Sequence, residues 1–440
     1  MTQPQITVGI MSAPKIEFTL FNSYQFNQST LTKGDYTVHI SNRKISFNGE
    51  LFHEIVILAS DIHTDYFELK DALIGINFHW ERKENQQFQG HLKLIVENER
   101  ITAINLVSLE DYLVSVISSE MSATSSEELL KAHAVISRSW LLAQIDKNKL
   151  LQTSKEVYQT SFEDSNQIVR WWDREDHCNF DVCADDHCQR YQGITKQSTP
   201  LVSNVVKETH GEVLMYENFI CDARFSKCCG GFTEAFQNVW EPTPHPYLVG
   251  KADAKNISLQ TPNLTNEEEA ADWIKSSPVA FCNTKDTRVL KQVLNDYDQE
   301  TSNFYRWKVT YTQAELSALI HKRSGIDYGD ILLLSAVERG TSGRIIRLKI
   351  VGTKRIMVIG KELEIRRTLS ESHLYSSAFT VEKGKDNKEG VPTDFTLYGA
   401  GWGHGVGLCQ IGAAVMADSG YDYKSILKHY YPGAEIEKRY

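Results

Sequence analysis

Three stretches of this chain concentrate side chains able to do chemistry. The densest, His177-Cys178-Asn179-Phe180-Asp181-Val182-Cys183-Ala184-Asp185-Asp186-His187-Cys188, holds two histidines and three cysteines within twelve residues. Imidazole and thiolate together suit a tetrahedral Cys2His2 zinc centre, and a metal with four protein ligands keeps no open position, so such a centre is structural. Reduced surface thiols with incidental histidines, or a Cys178–Cys188 disulfide, are the other readings. The second stretch, Gly399 to Gln410, sets five glycines at alternate positions around Trp402 and His404. Glycine reaches φ > 0 and admits the close approach of another chain, so this spacing predicts a loop shaped around a ligand. The plainer reading is a turn between a strand at Phe395 to Tyr398 and a helix from Gln410 to Ala417. A phosphate loop does not fit, because no set of these glycines spells G-x-G-x-x-G and no Gly-Lys-Ser/Thr follows.

The third stretch is Val116-Ile117-Ser118-Ser119-Glu120-Met121. A carboxyl at the edge of an apolar run can hold its proton nearer to neutrality, as a general acid must. A solvated glutamate between two helices is the alternative. Beside these, the small polar turn Phe225 to Thr233 could line a groove through Ser226, Gly230, Gly231 and Thr233. Cys228 or Cys229 as nucleophile with His404 as base would make a Cys-His hydrolase. The alternative is two buried thiols packing as small hydrophobes. Trp171-Trp172 could stack on sugar rings, or could anchor a core.

The elements that must position these groups change character along the chain. From Ile6 to about Ser108, short alternating runs such as Lys15 to Leu20 and His91 to Val96 are broken by Asn-Gly and Gly-Asp turns, which predicts a β-rich domain. Ser125 then opens a helix with Glu128 at the capping-box position, and Leu130, Ala134, Ser137 and Leu141 recur at helical spacing to about Ile145, with Arg138 beside them. Strands follow through Val213 to Arg224. Capped helices are predicted at Thr265-x-x-Glu268 and Thr312-x-x-Glu315, strands at Ile331 to Ser335 and Arg344 to Val351, and a last helix from Tyr423 to Tyr430 stopped by Pro432-Gly433. Strands mixed with isolated helices, without βαβ alternation, define an α+β fold. The expected division is a β-rich domain at 1–93 and a mixed domain with a few helices at 94–440, with 255–330 as a candidate inserted subdomain.

The totals narrow the function. At 440 residues, 41% hydrophobic and 24% charged, the chain has ample apolar surface for a core. Its net charge of −10 removes nucleic acid as a partner, since phosphate binding needs a basic face. No apolar run reaches the roughly eighteen residues of a membrane span, and no basic start followed by an apolar stretch marks a signal peptide. On residues alone the compartment stays open. Eight cysteines could pair, but three crowd the histidine-bearing segment, which points to metal.

Taken together, these stretches resemble the SpoIID/LytB family, the stage II sporulation protein D and amidase-enhancer group. Ser119-Glu120-Met121 with Leu130-Lys131-Ala132-His133-Ala134-Val135-Ile136-Ser137-Arg138-Ser139-Trp140 is similar to the family's E-M-P … L-K-A-Q-A-V-A-A-R-T-Y segment. Thr209 to Leu214, Cys229 to Thr233 and Pro246-Tyr247-Leu248 resemble its central strands and turn. Gly401 to Ala413, with Gly420-Tyr421 and His429-Tyr430-Tyr431-Pro432-Gly433, resembles its G-W-G-H-G-V-G … H-Y-Y-P-G end. This chain departs at Ser122 (proline in the family), His133 (glutamine) and Ser139-Trp140 (Thr-Tyr).

The resemblance implies a lytic transglycosylase acting on peptidoglycan at the cell envelope, with Glu120 as acid and base. It also implies a zinc on His177, Cys183, His187 and Cys188, leaving Cys178 spare. The expected substrate-binding residues are Arg138, Ser226, Gly230, Gly231, Thr233, Trp402, His404 and Gln410. A non-catalytic enhancer of a wall amidase, sharing fold and groove, is the rival that the same resemblance carries.

Overall fold

The computed structural model describes residues 3–75, 82–122, 125–153, 161–170, 177–185, 187–195, 199–255, 261–293 and 302–440. Strand outweighs helix, 37% to 25%, in an α+β arrangement. Two compact units divide the chain: Met1–Gln152, Asp176–Met215 and Ile436–Tyr440 form the first, and Thr153–Glu175 with Tyr216–Glu435 the second.

The first unit is built on two sheets. The larger runs Val182–Cys183, Gln5–Ala13, Arg100–Ser108, His91–Glu97, Glu54–Ala59, Tyr24–Phe26 and Ser29–Leu31. The other runs Arg82–Gln89, Tyr66–Ile74, Lys15–Leu20, Gly34–Ser41, Lys44–Phe47 and Glu50–Phe52. Alternation in Lys15–Leu20 explains its place, since Ile16, Phe18 and Leu20 are buried while Lys15 and Glu17 face water. Asn48 and Gly49 both take positive φ, 50° and 84°, in the Asn-Gly turn of that sheet, which glycine and asparagine tolerate.

Two helices follow the sheet. α1, Leu109–Glu120, begins where the Ser108 side chain accepts from Asp111 N, and it buries Leu109, Tyr112, Leu113, Val116 and Ile117. α2, Glu127–Thr153, begins slightly after the expected Ser125 and runs past Ile145. Its buried face includes the positions at which this chain departs from the resembled segment, His133, Ser139 and Trp140. Ser139 Oγ donates to Val135 O at 2.6 Å and accepts from Leu214 N at 2.8 Å. These three departures are therefore packing positions. α3, Pro200–Glu208, completes this unit, capped by Thr199 with Pro200 in its first turn.

The second unit carries a five-stranded sheet, Ser161–Glu163, Gln167–Arg170, Ile356–Gly360, Ile345–Gly352 and Ile331–Arg339, and a three-stranded one, Arg306–Thr312, Asp394–Ala400 and Phe379–Lys383. Leu348, Ile350, Ile359, Phe379, Phe395 and Leu397 share one core with Trp307. α4, Glu267–Lys275, is capped by Asn266, whose side chain accepts from Glu268 N and Glu269 N, so the cap lies one residue beyond the expected Thr265. After α5, Thr287–Val293, α6 at Gln313–Ser324 has the capping box read from Thr312 and Glu315, with both reciprocal hydrogen bonds present. α7 (Glu362–Thr368), α8 (Gln410–Asp418) and α9 (Tyr423–Tyr430) follow. A short parallel pair, Phe225–Ser226 with Leu408–Cys409, brings the cysteine turn and the glycine loop side by side.

Candidate functional site

In the first unit the histidine and cysteine segment folds back on itself. The ligand atoms of His177, Cys183, His187 and Cys188 all lie within 4.8 Å of one another. Cys188 Sγ is 3.5 Å from His177 Nε2 and 3.6 Å from His187 Nδ1, and Cys183 Sγ is 3.9 Å from His187 Nδ1. A tetrahedral zinc with bonds of about 2.3 Å to sulfur and about 2.0 Å to nitrogen sets such atoms about 3.5 Å apart, so the four groups fit that ion. Contacts with Cys188 first, and with both histidines, pull the Cys183 thiol far below its ordinary range against the cost of burial. Cys178 is exposed and stands outside the four.

The N-terminal strand holds this segment in place. Val8 and Gly9 pair in parallel with Val182 and Cys183. Thr7 N and Oγ1 both donate to Asp181 Oδ2, at 2.8 and 2.7 Å, and Asp181 N donates back to Thr7 Oγ1 at 2.9 Å. A Cβ on Gly9 would meet the Phe180 ring at 2.5 Å, and that ring stacks on His177 with centroids 4.6 Å apart. Gly9 is thus small because the Phe180 ring that stacks on His177 occupies the space.

The same segment reaches Glu120. Two residues beyond Cys188, Arg190 N donates to Glu120 Oε1 at 3.1 Å. Glu120 is half-buried at the last turn of α1. Tyr112 OH donates to Gln189 Oε1 at 3.3 Å and Gln192 N to Ser115 Oγ at 3.2 Å, so Gln189 and Gln192, flanking Arg190, are tied to α1 as well.

Arg138 is not a groove residue. It is fully buried, and its Nε and Nη2 make a two-pronged pair with Glu110 at 2.9 and 2.7 Å while Nη1 donates to Glu212 O at 2.9 Å. A guanidinium committed in this way braces α2 against α1 and offers nothing to a ligand.

In the second unit, Ser226, Gly230, Gly231, Trp402 and His404 come together where the turn after Phe225–Ser226 packs on the glycine loop. Cys228 N donates to Trp402 O at 3.0 Å and Trp402 N to Cys228 O at 2.7 Å. The glycines serve a purpose other than the expected one. Gly401, Gly403, Gly405 and Gly407 all take φ between 71° and 88°, and a Cβ on Gly405 would meet the Arg344 guanidinium at 2.4 Å. On Gly401 it would meet Cys228 O at 2.8 Å, and on Gly407 Arg224 O at 1.9 Å. The loop wraps a buried arginine, whose Nε and Nη2 donate to Gly403 O at 3.1 and 3.0 Å and whose Nη1 donates to Cys229 O at 3.2 Å. Protein atoms fill the space at these three positions, and Gly403, where a Cβ would meet Ser226 Cβ at 3.3 Å and Lys227 N at 3.9 Å, is the roomier one.

The remaining expected residues are similarly engaged. His404 Nδ1 accepts from Val406 N at 3.1 Å, and its ring lies edge-on to Trp240 at 4.8 Å. Burial, then the cations of Arg224, Arg344 and Arg366, hold its imidazole well below the usual range, so it is neutral at pH 7. Trp402 is half-buried and stacks on Tyr375 at 4.2 Å. Thr233 and Gln410 are buried, the former donating to Val249 O at 2.9 Å. Cys228 and Cys229 are buried too, and desolvation pushes their thiols up, the reverse of an activated nucleophile. Trp171-Trp172 lies outside the described residues. Arg344, the hub of the loop, carries no signal in the sequence because the carbonyls of Cys229 and Gly403 that it holds lie far from it along the chain.

Residues 97–216 match the family model described as Stage II sporulation protein (SpoIID), and residues 234–407 match a domain of unknown function, DUF8618. The chain is 28% identical over 258 residues to the amidase enhancer of Bacillus subtilis (strain 168), covering 56% of this chain and 34% of that protein. It is 25% identical over 338 residues to stage II sporulation protein D of the same organism, covering 76% of each. An uncharacterized protein of Brachyspira hyodysenteriae is 26% identical over 428 residues, 93% of this chain and 91% of that one. This chain thus spans about a third of the amidase enhancer's length. The region that resembles the SpoIID family holds Glu120, Arg138 and the His177–Cys188 segment. No helix among the described residues is long and apolar enough to cross a membrane.

Proposed function

We propose that this protein works on the bacterial cell wall as a lytic transglycosylase, with Glu120 as its acid and base. The observation that carries the reading is the placement of Glu120 at the end of α1, held by Arg190 N from the segment in which four metal-binding groups converge. Glu120 stands at the C-terminal, partly negative end of the α1 dipole. The Arg190 N–H favours the carboxylate that follows. Glu120 gives its proton to the glycosidic oxygen between N-acetylmuramic acid and N-acetylglucosamine. As carboxylate it then takes the proton of the muramyl 6-hydroxyl as that oxygen attacks C1, leaving a 1,6-anhydro end. One carboxyl suffices, because the nucleophile belongs to the sugar itself.

His177 Nε2, Cys183 Sγ, His187 Nδ1 and Cys188 Sγ would hold a zinc, which with four protein ligands would supply cross-linking rather than chemistry. These residues keep the Arg190 backbone at a fixed distance from Glu120. The Amidase enhancer match favours a second reading, in which the same surface binds glycan and stimulates a wall amidase without cleaving. Mass analysis of products from purified glycan strands separates the two. Anhydro-ended fragments are expected from the chain alone, and their absence together with acceleration of an added amidase would replace the first reading by the second.

A further inference from the structure

Four buried groups in the second unit converge without any part in the chemistry above. The ligand atoms of Cys229, Asp253, Cys282 and Cys409 lie within 4.8 Å of one another, and all four residues are at most 2% exposed. Cys229 Sγ is 3.3 Å from Asp253 Oδ2 and 3.5 Å from Cys282 Sγ. The latter is far beyond the roughly 2.05 Å of a disulfide. It is close to the spacing of about 3.8 Å between sulfurs on one tetrahedral zinc.

The surroundings are those of a bound cation. Asp253 Oδ1 accepts from Tyr430 OH at 2.8 Å and lies 3.3 Å from His429 Nε2, so the far side of the carboxylate is fixed while Oδ2 faces the thiols. Ligand carboxylates are oriented by such outer hydrogen bonds. Cys229 N donates to Cys409 Sγ at 3.2 Å, a bond that favours thiolate. Gly412 leaves the room, since a Cβ there would meet Tyr430 OH at 2.3 Å and Asp253 Oδ2 at 2.7 Å. A carboxylate and three sulfurs sealed from water carry an electrostatic cost that a thiophilic divalent cation offsets.

We propose that Cys229, Cys282 and Cys409, with Asp253 as fourth ligand, hold a second zinc in this protein, distinct from the one on His177, Cys183, His187 and Cys188. Each thiol releases its proton to solvent as its sulfur binds. With four protein ligands the ion is structural, and it ties together the cysteine turn, the chain before α4, the chain before α5 and the start of α8. Cys228 touches Cys282 and Cys409 but stands outside the four.

The test is metal content of the full chain purified under reducing conditions without chelator. Two zinc per chain are expected, falling to one in Asp253→Asn, one in Cys282→Ser and one in His187→Ala. One zinc in the unaltered chain that His187→Ala removes would overturn the second site and leave the first standing. One zinc that survives His187→Ala and is lost in Asp253→Asn would uphold the second site and overturn the first. No zinc, or a Cys229–Cys282 disulfide found by mass analysis of unlabelled thiols, would overturn the second site. Should either second-site variant fail to fold, cobalt is added to the metal-free His187→Ala chain. Intense thiolate-to-cobalt absorption upholds the proposal, and its lack counts against it.

Discussion

Arg190 N donates to Glu120 Oε1 at 3.1 Å, two residues along from Cys188, whose sulfur lies 3.5 Å from His177 Nε2. The acid and base proposed for cleavage is therefore held by the same loop that gathers four metal-binding groups. That loop is in turn paired with the N-terminal strand through Gly9 and Cys183. The candidate metal ligands, the strand and the carboxyl form one mechanical unit, and the first two predictions separate its parts.

Glu120→Gln is expected to keep the fold and the Arg190 hydrogen bond, because the amide oxygen can still accept. It cannot cycle a proton, and general acid–base catalysis contributes roughly a hundredfold to ten-thousandfold. Release of anhydro-ended fragments should fall by that range with an unchanged melting temperature. Wild-type release from the folded variant would take Glu120 out of the mechanism.

Removing the first zinc should act on both stability and turnover. A ligand that binds only the folded chain stabilises it by about 4 kcal/mol when free metal is a thousandfold above Kd. His187→Ala should therefore melt earlier than the unaltered chain. Since its loosened loop no longer fixes Arg190 N, it should also cleave more slowly than Glu120 chemistry alone dictates. Calorimetry alongside product release checks this, and a variant with full turnover would uncouple metal from site.

Much of this arrangement is readable from the sequence where it is local. The Thr312–Glu315 capping box and the helix at Tyr423–Tyr430 follow from side-chain chemistry within a few residues. That two histidines and two of three cysteines in one loop can converge is local too, while the choice of Cys183 and Cys188 over Cys178 comes from the resemblance. α1 is harder to read, because its apolar residues continue the strand Arg100–Ser108 and short apolar runs do not separate helix from strand. Asp253 and Cys282 stand 24 and 53 positions from Cys229, so their meeting is a product of the tertiary fold. The glycine loop is the instructive miss. Its spacing signals close approach, but the approaching group is Arg344, which no local pattern reveals.

Gly405→Val should be a stability variant. A Cβ residue held at φ 78° costs about 1–2 kcal/mol. The clash with the guanidinium adds about 1–3 kcal/mol for each buried Arg344 donor left unpaired. Gly420→Ala is the control, having φ 86° but no heavy atom within 4 Å of its added Cβ, so only the backbone cost applies. Urea unfolding should rank Gly405→Val well below Gly420→Ala, and equal losses would mean that the Arg344 contact is dispensable.

Mild acid should weaken the fold through half-buried histidines. Burial, then Arg366, Arg323 and Arg367, pull His373 from 6.5 to about 4. The unfolded chain binds a proton near 6.5 and the folded one only near 4. This stabilisation is therefore complete above about pH 6.5 and drains away as pH falls towards 4. His404 adds in the same direction. His373→Asn should shrink the difference between unfolding free energies measured at about pH 7.5 and about pH 5. An unchanged difference would show that His373 does not contribute to it.

The two-pronged pair between Arg138 and Glu110 gives the last prediction. Both side chains are buried, and Tyr440 OH also donates to Glu110 Oε1, at 2.5 Å. Removing one partner of such a pair strands a charge in the interior and typically costs about 3–5 kcal/mol. Arg138→Met should therefore unfold at markedly lower urea. Replacing Glu110 by leucine in the same chain should recover much of the loss, because the stranded carboxylate is gone and the two apolar chains fill similar volume. Glycan affinity of whatever fraction remains folded should match the unaltered protein, since the guanidinium has no face free for sugar. A folded Arg138→Met chain with normal stability but weakened glycan binding would restore Arg138 to the groove.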